Sequence, residues 1–527
     1  MGLSMNTTGD APQITQQILI EYVLRKERFL VLPLIQKLCA DLARENITYC
    51  HWKSNNAIDR SANGDNDLDL LVGRADGQRF SELLYRWGFK QAKASIEKQM
   101  PGVQDYYGYD EEADRLIHVH AHYQLILGHD MTKNFRLPIE KPYLESAVQG
   151  ELFKIPAPEF EFIVFVIRMI LKHSTWDVIL GREGALNKAE RQELKYLSGQ
   201  IEKDRVYDIL KQHLPYIDVD LFDNCIKVLG QGCSIWTRIK TGQRLQTTLQ
   251  VHTRRSLPID TSLKFSRRAV LTIRRRLSKT SAKHQLESGG AIIAIVGGDG
   301  AGKSTAVDGL YGWLSKDFDV IKVHLGKPEW SGITLLVRGI LKIGQILGLY
   351  PLEAPFQETI EQKSLVSPGY PFLLREACRA RDRYWTYLKA RRFAANGGLV
   401  IFDRFPLHQV QLMDGPQVER FIRQLMNGPE ANRFLSPRQD SRLARLLLKI
   451  EERYYRKIAL PELLIVLRVD PEIAVQRKID EQATSVRVRS TEILGVDWQN
   501  SNAHIVDSSK SKIDVMTELK ALIWSEL

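Results

Sequence analysis

The pattern of hydrophobic and polar positions differs between the first and the second half of the chain. In the first half, apolar residues at helical spacing predict helices, and short apolar runs between them predict strands. The predicted elements are helices over about 33–45 and 78–87, strands over 47–52, 68–72 and 116–119, and a mostly helical stretch over about 158–249. We therefore predict an α+β domain with helical additions over residues 15–250, preceded by a disordered polar tail over residues 1–14.

From residue 291 onwards, strands and helices alternate. Candidate strands cover 291–296, 320–325, 399–402, 463–469 and 504–506. Runs such as AIIAIV and LLIVL lack the alternation of a half-buried strand and are typical of strands buried on both faces. This pattern predicts an α/β fold over residues 289–527, with helices on both faces of a parallel sheet. Residues 251–288 are predicted to be a basic linker that ends in Ser288-Gly289-Gly290.

The composition is that of a folded protein with more than one domain. The 527 residues are 44% hydrophobic and 26% charged, which excludes a disordered, collagen-like or disulfide-framework chain. The five cysteines lie far apart without a C-x-x-C pair, which favours a reduced, cytoplasmic protein without a cysteine zinc site. The most apolar runs are too short for a membrane span or are interrupted by polar and charged residues, so we expect none.

The net charge of +11 is concentrated in one segment. Residues 254–283 contain ten basic residues and one acid, so the rest of the chain is nearly neutral. Because this is not a broad basic surface, no specific nucleic acid is expected as a partner. Apolar residues interleave with the arginines, as in an interfacial amphipathic helix: Phe265, Val270, Leu271, Ile273 and Leu277. Peripheral contact with an anionic membrane at its inner surface and a solvated linker helix are both open interpretations.

The strongest chemical motif is a glycine-rich loop directly after the strand predicted at 291–296. It consists of Gly297-Gly298-Asp299-Gly300-Ala301-Gly302-Lys303-Ser304-Thr305 and fits G-x-x-x-x-G-K-[ST]. Glycines let backbone N–H groups approach phosphate oxygens, and the helix that follows presents its positive end to the anion. Lys303 is expected to reach the β- and γ-phosphates, and Ser304 to ligate Mg²⁺. We therefore predict an ATP·Mg²⁺ site at this loop.

The second half resembles thymidylate kinase over about residues 291–527. Besides the loop, the resemblance rests on a strand that ends in Asp-Arg-aromatic, Val400-Ile401-Phe402-Asp403-Arg404-Phe405. It also rests on a later strand, Pro461-Glu462-Leu463 through Asp470-Pro471-Glu472, Ala474 and Arg477, and on a lid with Arg487 and Arg489. The resemblance implies that Asp403 positions Mg²⁺ through water or helps to activate the acceptor, and that Arg404 binds the acceptor's phosphate. It also implies that Arg487 and Arg489 close over the transferring phosphoryl group and neutralise its charge.

Other positions depart from that family. The motif R-E-P-G-G-T, which helps to hold the nucleoside monophosphate, is replaced by residues 324–330, where Lys327 is the candidate substitute for the arginine's charge. Residues 332–350 add apolar bulk where a compact acceptor pocket is expected. Candidates for the family's acceptor-binding arginine lie on a predicted helix: Arg375, Arg379, Arg381 and Arg383. ATP-dependent phosphoryl transfer is therefore better supported than thymidylate as the acceptor.

A second candidate site lies in the first half, in the run Gly64-Asp65-Asn66-Asp67-Leu68-Asp69-Leu70-Leu71-Val72. Asp67 and Asp69 alternate with apolar residues, so in a strand both carboxylates face one side. Two carboxylates on one face are what the binding of a Mg²⁺-nucleotide complex requires. Over about residues 30–125 the sequence resembles the nucleotidyltransferase superfamily. It is especially similar to uncharacterised nucleotidyltransferase-like proteins with a lysine on the preceding strand, here Lys53, and a later I-D-x-H strand.

The later strand departs from that pattern. It contains Ile117-His118-Val119-His120-Ala121-His122, with His118 in place of the third carboxylate. Histidines at alternate positions face one side of a strand, where they either bind a metal or are structural. The upstream glycine-serine motif is missing from His51-Trp52-Lys53-Ser54-Asn55. An active nucleotidyltransferase and a degenerate acceptor-binding or regulatory domain both remain open.

The sequence as a whole predicts a cytoplasmic P-loop kinase with an attached nucleotidyltransferase-like domain. The predicted reaction transfers the γ-phosphate of ATP to a phosphorylated small-molecule acceptor, with dTMP or another nucleoside monophosphate as the first candidate. One alternative is a nucleotidyl- or phosphotransferase that acts on a sugar or lipid-linked glycan intermediate. The other is an ATP-gated regulatory switch. A homodimer is a candidate assembly.

Overall fold

A computed structural model describes residues 31–172, 186–230, 233–278, 283–349, 370–410, 442–498 and 501–527. The chain divides into two compact units, residues 1–282 and 283–527. The tail predicted over residues 1–14 lies outside the described ranges.

The first unit combines short strands with two groups of helices. Its strands are β1 (Tyr49–His51), β2 (Leu68–Val72), β3 (Lys90–Lys93), β4 (Val103–Asp110), β5 (Arg115–His122), β6 (Ile126–Leu127), β7 (Phe135–Arg136), β8 (Val148–Gln149) and β9 (Lys154–Ile155). Its helices are α1 (Pro33–Arg44), α2 (Ile58–Ala62), α3 (Gly77–Arg86), α4 (Glu140–Glu145), α5 (Pro158–Lys172), α6 (Lys188–Ser198), α7 (Lys203–His213), α8 (Val219–Leu229), α9 (Ile235–Thr248) and α10 (Leu257–Ser278). Strand β2 coincides with its predicted range, and α1 and α3 begin and end within one residue of theirs.

The main sheet of this unit has the strand order β1-β2-β5-β4-β3. Strands β2 and β5 are parallel, and the other neighbours are antiparallel. Because successive side chains of a strand point to opposite faces, Leu68 and Leu70 of β2 and Val119 and Ala121 of β5 are buried in one core with α1 and α3. The opposite face of β2 and β5 carries acidic and histidine side chains.

A second core surrounds helix α5. Nearly all of its residues are buried, because α6, α7, α8 and α9 pack around it. Phe162 of α5 meets Phe222 of α8 edge to face, with ring centroids 6.1 Å apart. This packing holds the polar residues of α5, among them Glu161 and Arg168, at fixed positions inside the unit.

The second unit is built on a parallel sheet. Its strands are β10 (Gln285–Leu286), β11 (Ala291–Gly297), β12 (Val320–His324), β13 (Leu399–Asp403), β14 (Leu463–Arg468) and β15 (Ala503–Asp507). Its helices are α11 (Lys303–Leu314), α12 (Gly332–Ile346), α13 (Tyr370–Ala395), α14 (Arg442–Tyr455), α15 (Pro471–Arg477), α16 (Ala483–Gly495) and α17 (Lys512–Glu526). Each of the five predicted strands is present.

The five long strands are all parallel, in the order β12-β13-β11-β14-β15. Ile292 and Ala294 of β11 share a core with α13 and α16, while Ile293 and Ile295 on the other face are also fully buried. Helix α11 contacts β11, β12 and β13. Helices therefore cover both faces, as the unbroken apolar runs predict for this mixed α/β unit.

Candidate functional site

The glycine-rich loop connects β11 to α11 at the carboxyl edge of the parallel sheet. Gly300 and Gly302 have φ values of +77° and +82°, in the left-handed region that favours glycine. A Cβ on Gly300 would lie 2.6 Å from the carbonyl oxygen of Ala474, and a Cβ on Gly298 would lie 2.6 Å from Ser490 Oγ. The loop is thus packed against α15 and α16 so closely that side chains at these positions would force it to move.

Lys303 is folded back onto the loop. It is buried, and its Nζ donates to the carbonyl oxygens of Gly297 at 3.0 Å and Gly298 at 2.7 Å. The same ammonium lies 3.7 Å from Asp299 Oδ1. The lysine is therefore held at the loop by bonds that phosphate oxygens can replace.

Asp299 is a buried carboxylate that holds cations at the loop. Arg489 Nη1 donates to Asp299 Oδ2, and Arg404 Nη2 lies 3.9 Å from Oδ1. Burial raises the pKa of Asp299, but the hydrogen bond from Arg489 and the charges of Lys303 and Arg404 outweigh it and hold the pKa below its ordinary value. Asp299 therefore stays ionised and brings two of the predicted site arginines to the loop.

Asp403 and Arg404 lie at the end of β13, beside β11. Asp403 is in register with Ile295, so its carboxylate lies at the same sheet edge as the loop. Its Oδ1 is buried and has no hydrogen-bond partner among the described residues. Arg404 has a φ of +65°, a strained backbone conformation of the kind found at functional sites. Ser304 is exposed in the first turn of α11.

The two predicted lid arginines lie on α16 but contact different partners. Arg489 contacts the loop through Asp299. Arg487 Nε and Nη2 donate to the two carboxylate oxygens of Glu472 on α15, at 2.7 and 3.0 Å. Arg489 is thus part of the loop's surroundings, whereas Arg487 forms an exposed ion pair.

Arginines of α13 fix the segment that follows β12. Arg383 is buried, and it donates to the Leu325 carbonyl oxygen at 2.9 Å and to the Tyr455 hydroxyl at 2.5 Å. Arg381 donates to Ser331 Oγ at 2.5 Å. In the region where the thymidylate kinase motif is absent, these two arginines therefore bind protein oxygens.

The other two α13 arginines pair with a buried acid. Arg375 and Arg379 lie 3.5 and 3.1 Å from carboxylate oxygens of Glu376. Lys327, the candidate substitute for the family's arginine, is exposed.

Within the apolar segment over residues 332–350, α12 covers Gly332–Ile346, and residue 350 lies outside the described ranges. Side chains along one stripe of this helix are more than half exposed: Ile333, Leu336, Ile340 and Ile343. The apolar side chains that we expected in the place of a compact acceptor pocket are thus partly on the surface.

In the first unit, Asp69 lies at the centre of a polar cluster. Its Oδ1 is 2.8 Å from Lys53 Nζ, 3.1 Å from His120 Nδ1 and 3.6 Å from His122 Nε2. Burial raises the pKa of Asp69, but the charge of Lys53 and hydrogen bonds with both histidines outweigh it and hold the pKa well below its ordinary value. Burial lowers the pKa of His122 to about 3, so this imidazole is neutral.

Asp67 belongs to a neighbouring pair of carboxylates. His118 lies between them, with Nδ1 2.9 Å from Asp67 Oδ1 and Nε2 2.9 Å from Asp105 Oδ1. Burial opposes protonation of His118, but hydrogen bonds to Asp105 and Asp67 raise its pKa to about 10. Asp105 of β4 therefore places a carboxylate beside His118, the residue at the position of the missing acid, and no sequence motif marks Asp105.

Residues 257–278 of the basic segment form α10, which packs against its own unit. Arg267 donates to the Met131 carbonyl oxygen at 2.6 Å, and Arg268 lies 2.9 Å from His129 Nε2. Phe265 and Ile273 are about half exposed, at 52% and 55%. The segment thus combines arginines bound to the protein with apolar side chains on the surface. Among the described helices, none is both long and apolar enough to cross a membrane.

The second unit is a P-loop unit of mixed α/β class, and comparisons with known proteins give weak similarities. No protein-family model matches the chain. Two proteins called uncharacterized ATP-binding protein YghR, from Escherichia coli strains K12 and O6:H1, are each 25% identical over 239 residues, covering 43% of this chain and 87% of the relative. The structure of deoxyadenosine kinase from M. mycoides with bound dATP covers 44% of this chain and 98% of that chain, at 15% identity and a TM-score of 0.25.

Proposed function

We propose that residues 283–527 catalyse ATP- and Mg²⁺-dependent phosphoryl transfer to a phosphorylated acceptor. A nucleoside monophosphate such as dTMP is the first acceptor to test. The observation that carries the proposal is the convergence, at one sheet edge, of the glycine-rich loop with Lys303 and the Asp403 carboxylate, whose buried Oδ1 has no hydrogen-bond partner among the described residues. The similarity to a protein named for ATP binding supports ATP as the phosphoryl donor.

The donor set at this edge fits Mg²⁺. This ion prefers oxygen ligands and binds through carboxylates, hydroxyls and water beside nucleotide phosphates. Asp403 Oδ1 is buried and has no hydrogen-bond partner within the described ranges, so a cation or its water ligand would satisfy it. Ser304 offers a hydroxyl at the start of α11. When bound, the ion would neutralise phosphate charge during transfer. The chain's own part is to cradle the phosphates with the loop and to supply positive charge from Lys303, Arg404 and Arg489.

The test measures ADP and pyrophosphate release from Mg·ATP with dTMP and a panel of phosphorylated acceptors. We expect ADP release that an acceptor stimulates, and a loss of at least about 100-fold in Lys303→Ala and in Asp403→Asn. The first variant removes positive charge at the transferring phosphate, and the second removes the carboxylate that would position Mg²⁺. Lys316→Ala, which removes an exposed lysine of the same unit, is the matched control and should keep full activity.

Three other results would overturn the proposal. ADP release that no acceptor stimulates would indicate an ATP-gated switch. Pyrophosphate release would indicate nucleotidyl transfer. ADP release that persists in Lys303→Ala would show that the loop is not the site of reaction.

A further inference from the structure

Three side chains of the first unit place their donor atoms in the geometry of a metal site. Asp69 Oδ1 and His120 Nδ1 are 3.1 Å apart, Asp69 Oδ1 and His122 Nε2 are 3.6 Å apart, and the two histidine nitrogens are 3.3 Å apart. In a tetrahedral site with bonds of about 2.0–2.1 Å, donor atoms are about 3.3–3.4 Å from one another. The three atoms thus already occupy three corners of such a site.

The sheet fixes this geometry. Asp69 of β2 lies in register with His120 of β5, and His122 is two residues further along the same face. His120 Nε2 lies 3.6 Å from Asp105 Oδ1, so a second carboxylate stands behind the ring, an arrangement that orients ligating histidines in metal proteins. The ring of Trp52 packs edge to face on His122 with centroids 5.0 Å apart. All three ligands are therefore held by strands and by packed neighbours.

The donor set favours a transition metal over Mg²⁺. Two imidazole nitrogens and one carboxylate oxygen suit Zn²⁺ and its first-row neighbours, whereas Mg²⁺ takes oxygen ligands. Asp67, which pairs with His118, does not belong to this group of converging donors. The geometry thus differs from the carboxylate pair, Asp67 with Asp69, that the sequence suggests.

Lys53 is the cation that now balances Asp69, at 2.8 Å from Oδ1. A divalent ion bound to Asp69 would take over this role and release the ammonium. Lys53 Nζ also lies over the ring of Trp52, 5.0 Å from its centroid, at the wall of the adjoining cavity. The released lysine would therefore face a ligand in that cavity.

The cavity has a volume of about 340 Å³, large enough for a small phosphorylated molecule. Besides the three metal ligands, its wall carries four cationic side chains: Lys53, Lys133, Arg168 and Lys172. Of these, Lys133 and Lys172 pair with two carboxylates of the same wall, Asp130 and Glu190. Trp52 is only 3% exposed, and neither its Nε1 nor Arg168 Nε has a hydrogen-bond partner within the described part of the chain. Buried N–H donors without partners at a cavity wall are suited to a ligand rich in acceptor oxygens.

We propose that Asp69, His120 and His122 bind one divalent transition-metal ion, and that the adjoining cavity binds a phosphate-bearing small molecule through this ion, Lys53 and Arg168. The site is separate from the residues of the proposed kinase function and does not depend on that function.

Metal binding is tested on the full chain after treatment with a chelator. Co²⁺ is the probe, because its visible absorption reports the coordination geometry, and Zn²⁺ competes for the same site. We expect one Co²⁺ per chain with a tetrahedral spectrum, and an affinity at least about 100-fold lower in Asp69→Asn and in His122→Asn, since loss of a ligand exceeds the effect of losing a neighbour of a ligand. Melting curves without metal show whether these variants fold.

Two further variants, Asp67→Asn and Lys53→Gln, distinguish the metal ligands from neighbouring charged residues. Asp67→Asn removes a carboxylate of the same strand region and should leave Co²⁺ affinity unchanged. Lys53→Gln removes the competing ammonium and should keep or strengthen Co²⁺ binding. Absence of a bound ion, or equal losses in Asp67→Asn and Asp69→Asn, would overturn the metal site.

Inorganic phosphate tests the cavity. Added to the Co²⁺-loaded protein, it should change the visible spectrum and raise the melting temperature, and both effects should be weaker in Lys53→Gln, which still binds the metal. An unchanged spectrum and melting temperature would overturn the phosphate part of the proposal. Kinase activity enters neither readout, so failure here is distinguishable from failure of the kinase proposal.

Discussion

Replacing Gly298 with alanine tests whether the P-loop is held in place by α16. The new Cβ would lie 2.6 Å from Ser490 Oγ and 2.8 Å from Ser490 Cα, whereas ordinary contacts begin near 3.4 Å. The backbone Cα of a packed helix cannot rotate away as a flexible side chain can. The loop must therefore shift away from α16, by up to about 0.8 Å if α16 stays fixed.

The expected cost is that of overpacking a tightly packed site, about 1–3 kcal/mol. For a unit of this size, each kcal/mol corresponds to about 2–4 °C in melting temperature, so the transition of the second unit should fall by roughly 2–12 °C. Because the loop's N–H groups move together, Mg·ATP should also stabilise the variant less than it stabilises the wild type. Calorimetry with and without Mg·ATP measures both effects.

Gly312→Ala is the matched control. Gly312 lies near the C-terminal end of α11, the helix that follows the loop, and an added Cβ would meet no atom within 4 Å. Since alanine is the better helix former, this variant should gain about 0.5–1 kcal/mol and keep the Mg·ATP effect. Equal melting temperatures for wild type and Gly298→Ala, together with the expected gain in Gly312→Ala, would refute the packing argument.

Two further predictions concern buried charges. Arg489→Ala should destabilise the second unit by about 2–3 kcal/mol, because it removes the hydrogen bond to buried Asp299 while two other cations stay close. Arg487→Ala, on the same helix but in an exposed pair, should leave the melting temperature unchanged, and equal effects of the two variants would contradict this account. Burial raises the pKa of Glu161 from 4.5 to about 7, which means that the folded state favours the protonated carboxyl. Its contribution to the free energy of unfolding, roughly 3 kcal/mol, is therefore present below pH 4.5, declines as the pH rises and is lost above pH 7. Urea unfolding of Glu161→Gln, which can keep the hydrogen bond from the Asn55 N–H, should show a weaker decline over this range, and identical pH profiles would exclude Glu161 as the cause.

The strands of the second unit could be predicted because burial on both faces leaves a plain signal. The three central strands, β11, β13 and β14, are runs of apolar residues, whereas the edge strands β12 and β15 are partly polar and partly exposed. The glycine-rich loop marks where β11 ends. The chemistry at the edge was only partly predictable. Nothing in the spacing shows that Asp299 gathers Arg404 and Arg489, since these residues are far apart in the chain and meet only through the crossovers of the sheet.

Some features of the first unit could not be predicted from the sequence pattern. Strand β4 was not predicted, because its sequence, VQDYYGYD, mixes tyrosines with acids and lacks an apolar alternation. Asp105 was missed with it, although it lies in antiparallel register with His120. Arg168 was missed because it lies within the mostly apolar run of helix α5, where only the fold reveals a cavity beside it.

The alternation along β5 also controls how the first unit folds. A slip of β5 by one residue against β2 would turn His118, His120 and His122 towards the core beneath α1 and α3 and expose Val119 and Ala121. Each imidazole buried without a partner costs about 1–3 kcal/mol, so the slipped pairing is strongly disfavoured. The polar face therefore fixes the register of β5 against β2, in addition to forming a candidate site. A strand with valine at all three positions would be apolar on both faces, which removes the penalty on misaligned pairing and favours aggregation during folding.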